Sequence, residues 1–172
     1  MKGMILLPMP TMNMDNSETG CCPAFLPEPW DEKTMVLNGE LFIKATTKSV
    51  FYMPIDMASV MTRTMTLIAE AQAEIQEGYL ILSQDISKWK AEHYFLVSKE
   101  VPGATMTQLN GEYMTKVFEG AFSEMPKWIK IMEAYVSSQG KVSQGIYAFY
   151  TTCPKCAKHF GKNYVVLFSK VQ

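Results

Sequence analysis

Two stretches of this chain repeat one order of elements: strand, helix, strand, strand. In the first, "ELFIKATTKSVFYMP" (residues 40–54) alternates and is rich in β-branched and aromatic residues, which predicts a strand closed by Pro54. Asp56 stands at a helix N-cap position, and Met57, Val60, Met61, Thr64, Met65 and Ile68 follow at helical spacing before Gly78. "GYLILSQD" and "AEHYFLVSKEV" then predict two strands, joined by a turn over 85–87 and stopped by Pro102-Gly103. In the second stretch the turn pair Asn110-Gly111 opens the strand "GEYMTKVFEG". Ser123 caps a helix with Pro126 in its first turn and an apolar stripe of Met125, Trp128, Ile129, Met132, Tyr135 and Val136, closed by Gly140. "GIYAFYTT" and "KNYVVLFSKV" are the last two strands.

That order implies an α+β fold of two tandem modules, each a three-stranded antiparallel sheet with one helix on one face. The other sheet face must be covered, and a cleft between two such modules is where a small molecule would bind. We divide the chain into a proline-rich extension (1–38) and a single domain (39–172), with modules at 39–102 and 103–172. Within the extension, 1–18 reads as an arm without periodicity. Residues 19–38 read as an extended segment anchored by Phe25 and Trp30.

Charge excludes some functions. The formal net charge is −1 and the basic residues are dispersed, which argues against a nucleic-acid binder. No apolar run approaches the roughly 18 residues needed to span a bilayer, and "MKGMILLPMP" is too broken for a signal peptide. The sequence therefore implies no membrane partner and a cytoplasmic location. Fourteen methionines stand out, several of them in the periodic segments, where an unbranched thioether fills irregular space.

Four stretches carry a family resemblance: "FIKATTKSVFYMP", "GEYMTKVFEGAFSEMPKWIKIMEAYVSSQGK", "CCPAFLPEPWDEK" and "TTCPKCAKHFGKNYVV". Together they resemble the GyrI-like small-molecule-binding domain, and in particular its stand-alone multidrug-binding type. The resemblance covers about residues 40–170, with the cysteine-bearing motifs before the domain and at its end. It implies a central cleft for bulky, often cationic aromatic compounds such as rhodamine-type dyes. In some relatives it implies hydrolysis of strained, cyclopropane-bearing toxins by acidic and aromatic residues of the same cleft.

Within "KWKAEHYFLV", alternation puts Glu92, Tyr94 and Leu96 on one strand face and His93, Phe95 and Val97 on the other. A carboxylate among aromatic rings can recognise a lipophilic cation, and desolvation is expected to raise its pKa toward that of a general acid/base. The competing reading is an exposed strand carboxylate paired with Lys90 or Lys99. Trp89, Tyr52, Tyr113, Phe118, Tyr147 and Tyr150 are the aromatic candidates for lining the site, and Trp128 and Met132 belong to a helix core stripe. The leading expectation is binding or sequestration of lipophilic, cationic aromatic molecules. The alternative is hydrolysis with Glu92 as the acid/base.

Cys153 and Cys156 have C-x-x-C spacing, here read as falling between two strands of a hairpin, where the strand-to-helix setting of a redox motif is missing. Zinc is a further reading, using Cys153, Cys156, one of Cys21 and Cys22, and a fourth group. Adjacent cysteines are awkward joint ligands, so reduced structural thiols and no resident cofactor are the first expectation. Two histidines, His93 and His159, are too few for a histidine-rich metal centre.

Overall fold

The alternating run of the first repeat belongs to a strand that begins well before residue 40 in a computed structural model of the chain. The structure describes residues 6–7, 9–12, 15, 18–76 and 78–172, so most of the arm expected over 1–18 lies outside the described residues. A two-residue strand, β1 (Leu6–Leu7), runs parallel to the start of β2 (Lys33–Val50), with Leu6 opposite Thr34. Strand β2 thus absorbs residues 33–38, which lack a periodic pattern of their own. Gly39, at φ +88°, sits inside β2, where an L side chain would be strained.

A comparable change affects Asn110-Gly111. The pair lies inside β6 (Met106–Glu119) instead of forming a hairpin turn. An Asn-Gly turn requires the two flanks to fold back on each other, whereas here they continue as one strand and Gly111, at φ +113°, supplies a bend. The chain divides into two compact units, residues 38–110 and residues 1–37 with 111–172.

In the unit of residues 38–110, β5 (Lys90–Leu96) is the middle strand. It pairs antiparallel with β2, Phe42 opposite Leu96 through Lys48 opposite Lys90, and with β4 (Ile81–Ser87), Ile81 opposite Phe95. A short return strand, β3 (Met53–Pro54), pairs with the end of β2. Residues 85–87, expected as a turn, belong to β4, and the turn is at 88–89. Helix α1 (Met57–Glu70) buries Val60, Thr64 and Ile68, while Met65 of the expected stripe is exposed because its angle leaves the sheet. Ile68 packs with Ile43, Phe95, Val97 and Val101. Asp56 occupies the N-cap position and its carbonyl accepts the Val60 N–H, but its side chain does not cap the helix, since its carboxylate accepts the Lys48 N–H at 2.8 Å.

In the other unit, β8 (Tyr164–Val171) is central, between β6 and β7 (Ser143–Tyr150). Helix α2 (Met125–Ser138) follows a 3-10 turn at Phe122–Glu124. Ser123 falls in that turn, so Glu124 takes the cap position Ser123 was expected to hold. Trp128, Met132 and Val136 bury against Met114, Phe118, Ala148, Val165 and Leu167. The sheet face away from α2 is covered by the chain around "PEPWD". Trp30, 2% exposed, packs against Phe25, Phe149 and Phe168 with centroids 5.5–6.2 Å away. Polar bonds hold it there: the Thr115 hydroxyl donates to the Trp30 carbonyl at 2.6 Å, and the Val117 N–H donates to Asp31 Oδ1 at 2.9 Å. Between β7 and β8 the chain forms a short helix, α3 (Pro154–Phe160), so the expected simple hairpin is interrupted. Among the described residues, no helix is long and apolar enough to cross a membrane.

Trp30→Ala should lower unfolding free energy by about 3–5 kcal/mol, the usual cost of deleting a buried large aromatic. Urea denaturation of the full chain measures it, and a change below about 1 kcal/mol would show that the segment is not anchored through this ring.

Candidate functional site

β5 alternates between two environments. Ala91, His93 and Phe95 share the face toward α1, while Glu92 and Tyr94 lie on the helix-free face with Lys44 and Phe42 of β2. Strands on both sides of β5 remove Glu92 from any sheet edge, and only 8% of its surface is exposed. The Tyr94 hydroxyl donates to Glu92 Oε2 at 2.8 Å. Lys44 Nζ lies 3.0 Å and Lys90 Nζ 3.4 Å from Glu92 Oε1.

Those contacts reverse one expectation. Desolvation alone pushes the Glu92 pKa up, but the ammonium of Lys44 and the hydroxyl of Tyr94, together with Lys90, bring it below the ordinary carboxylate value. Glu92 is therefore ionised at neutral pH. The pairing with Lys90 proposed for an exposed glutamate is present, though on a buried residue, and Lys44 was not foreseen. Its signal was available: Lys44 falls on the same face of β2 once the register is known, but register is not written in an isolated strand.

Behind this face, His93 is 3% exposed and held at both ring nitrogens, Nε2 2.8 Å from the Thr47 hydroxyl and Nδ1 2.8 Å from that of Ser83. Burial lowers its pKa, with Asp56 opposing more weakly, so the imidazole is neutral near pH 7. It braces β2, β5 and β4 and does not share a face with Glu92.

The aromatic candidates separate. Trp89 (51% exposed) and Tyr52 (59%) lie at adjoining turns of the same unit as Glu92, where Phe51 contacts Trp89 at a 5.2 Å centroid distance. Lys88 Nζ sits 5.5 Å from the Phe51 ring and 5.2 Å from that of Trp89. Phe51 and Tyr52 are consecutive non-glycine residues at φ +47° and +68°, a strained backbone that places several apolar side chains in solvent. Tyr113, Phe118, Tyr147 and Tyr150 belong to the other unit. Phe118 stacks on Trp128 in the core at 5.5 Å. Tyr113 is fully buried beside Tyr147 at 6.2 Å, and burial pushes its hydroxyl up to about 12. Tyr150 meets Phe122 edge-on at 5.1 Å on the surface.

A second cluster gathers the cysteines. The sulfurs of Cys21, Cys22, Cys153 and Cys156 all lie within 4.8 Å of one another. Cys153 precedes α3 and Cys156 is inside its first turn, so the C-x-x-C pair occupies the strand-to-helix setting that the hairpin expectation had denied it. The hydroxyl of Thr19, 3.3 Å from Cys156 Sγ, helps hold that thiol down at about 6, whereas burial pushes Cys22 up to about 12.

Comparison with known proteins gives a family. The family described as Bacterial hydrolase matches residues 12–171. The chain belongs to that family. Among solved structures, an uncharacterized conserved protein from Listeria innocua is 12% identical, covering 83% of this chain and 92% of its own, with a TM-score of 0.62. A hydrolase from the same organism is likewise 12% identical over 83% and 92% of the two chains, at a TM-score of 0.58. SAV2435 bound to tetraphenylphosphonium is 13% identical over 83% and 94%, at 0.52. At such identities the likeness is one of fold. No curated protein matches the sequence.

The titrating groups can be tested. Because the folded pKa of His93 lies below its unfolded value, its contribution to stability is complete above about pH 6.5 and declines as pH falls. His93→Gln should therefore flatten the pH dependence of thermal unfolding between about pH 5 and 7; an unchanged slope would assign it to other groups. Glu92 acts in the same direction at lower pH, its stabilisation being lost as pH falls below about 4.5. Lys44→Met should raise the Glu92 pKa, read from the carboxyl carbon shift by NMR; no change would remove Lys44 as a principal cause.

Proposed function

We propose that the protein binds a lipophilic aromatic small molecule over the helix-free face of residues 38–110 and hydrolyses it at Glu92. The observation that carries this reading is a buried glutamate that stays ionised, with the Tyr94 hydroxyl fixed on one of its oxygens. Membership of the Bacterial hydrolase family supports turnover over simple capture.

The charge count also bears on the choice. One carboxylate faces two ammonium groups, Lys44 and Lys90, so the cluster has a net charge of +1 (−1 + 2). A cationic guest would have to displace a lysine, whereas negative charge developing on a leaving atom would be stabilised. In the proposed step, water attacks an electrophilic carbon of a strained ring while Glu92 takes its proton. The ring bond breaks toward the leaving atom, whose electron pair takes a proton from the Lys44 ammonium. Protonated Glu92, 3.0 Å from Lys44 Nζ, then passes the water's proton to that lysine, so both groups return to their starting charge. Carboxylate oxygens together have about four lone-pair sites, so acceptor capacity remains beside the Tyr94 and lysine contacts. Tyr94 acts as a positioning residue. Phe51, Tyr52 and Trp89 would offer the aromatic surface on which the substrate rests.

Capture without turnover is the second reading, favoured by the tetraphenylphosphonium-bound structure of the same fold. Rhodamine 6G anisotropy and product analysis on a cyclopropane-bearing alkylating substrate separate the two. For hydrolysis, wild type gives a water-added, ring-opened product, and Glu92→Gln loses about 10²–10⁴-fold in kcat while keeping binding. Saturable dye binding without product in any assay would establish capture. Full activity in Glu92→Gln would sink the proposed role.

A further inference from the structure

The cysteine cluster lies in the unit that does not contain Glu92, and the hydrolytic reading leaves it unused. Cys21 and Cys22 come from the N-terminal segment, while Cys153 and Cys156 stand more than 130 residues later around the start of α3. Bringing four thiols from two distant segments to within 4.8 Å requires a reason. A disulfide would need two sulfurs at about 2.05 Å. Among the described residues no disulfide joins any of the four, and the Cys21 and Cys22 sulfurs are 3.6 Å apart.

That separation matches a metal geometry. A tetrahedral zinc with Zn–S bonds of about 2.3 Å places its sulfurs about 3.8 Å from one another. Adjacent cysteines are expected to diverge, but the loop before them prevents it. The Thr19 side-chain oxygen accepts the backbone N–H groups of Cys21 at 3.3 Å and Cys22 at 3.4 Å, and Gly20, between Thr19 and Cys21, adopts φ +67°. The tight loop turns both sulfurs the same way, beside Cys153 and Cys156.

The surroundings are those of a ligand shell. Thr19 Oγ1 also lies 3.3 Å from Cys156 Sγ, and backbone groups of Cys22 and Cys153 reach the sulfurs of Cys156 and Cys22. Such outer contacts orient thiolate ligands and spread their charge. Cys22 and Cys156 are buried, and α3, which carries Cys156, also carries Lys155 and Lys158.

We propose that Cys21, Cys22, Cys153 and Cys156 form a structural four-cysteine zinc site that fastens the N-terminal segment to α3. Thiolate-only ligands in tetrahedral disposition select zinc among the common divalent ions. Four protein ligands leave no open position for water, so the centre is structural and takes no part in the hydrolysis. Its mechanical consequence is local: fixing Cys21 and Cys22 holds the chain only eight residues before Trp30, the ring that covers one sheet face of this unit.

The test is metal analysis of the full chain purified without chelator or added metal, together with cobalt substitution. The expected result is about one zinc per chain, with thiolate-to-cobalt charge transfer and tetrahedral ligand-field bands in the cobalt form. Cys153→Ser and Cys22→Ser should each reduce retained zinc at least ten-fold and abolish or shift the cobalt spectrum. If these variants do not fold, chelator treatment of the wild type replaces them. Zinc release should then expose four thiols to a thiol reagent and lower the melting temperature, with recovery on adding zinc alone. A metal-free chain with four thiols already reactive and no cobalt spectrum would overturn the proposal. So would a Cys153–Cys156 disulfide in the protein as isolated, or an iron–sulfur absorption band.

Discussion

A three-stranded sheet that packs a helix on one face still has a second face to cover. In the unit of residues 1–37 and 111–172, that cover is Trp30, and the packing of the unit depends on it. A large flat ring fills the space over Phe149 and Phe168, while the backbone around it is held by Thr115 and by Val117 through Asp31. The apolar contacts give the energy and the polar ones give the register. An aromatic ring alone could slide along a sheet, but the paired bonds from Thr115 and Val117 leave it one position. The segment preceding β2 is thus part of the fold, with the cysteine cluster at its other end.

The unit of residues 38–110 treats its helix-free face differently. Phe42, Leu82 and Tyr94 are buried on that face, yet a glutamate and a half-exposed lysine stand among them. A buried ion pair is weak evidence for stability, because the desolvation of both charges offsets their attraction. Hydrophobic residues of the same size would hold the sheet as well. The arrangement gives instead an ionised carboxylate of fixed orientation. His93 shows the contrasting case on the opposite face, a polar residue with both ring nitrogens bonded and no exposed edge.

The two clusters proposed as sites differ in how their groups are held. Glu92 has two charged partners and a tyrosine, and both lysines are partly exposed. The cysteines are held by a tight loop and a helix start, and their sulfurs gather within 4.8 Å of one another. The first arrangement accords with the proposed hydrolysis and the second with the proposed structural zinc.

Local information decided a good deal of this. Alternation and helical spacing identified both long helices, the faces of β5 and the core role of Trp128 and Met132, because these depend on near neighbours in the chain. Phe25 and Trp30 were legible as anchors since large aromatics in a proline-rich segment have few other ways to leave water. Failures came where a partner distant in sequence set the outcome. Asn110-Gly111 continued as strand because β8 was there to pair with residues 112–119. Met65 was left exposed by the angle of α1 on its sheet. Desolvation of Glu92 was foreseeable, but the lysine that outweighs it arrives from β2 through a register that only pairing fixes. The meeting of Cys21 and Cys22 with Cys153 and Cys156 is the clearest case. By itself the sequence determined which residues could be ligands, acids or core, because side-chain chemistry is local. Only the tertiary structure decided which of them meet, because the distance between residues far apart in a chain is set by packing and strand pairing.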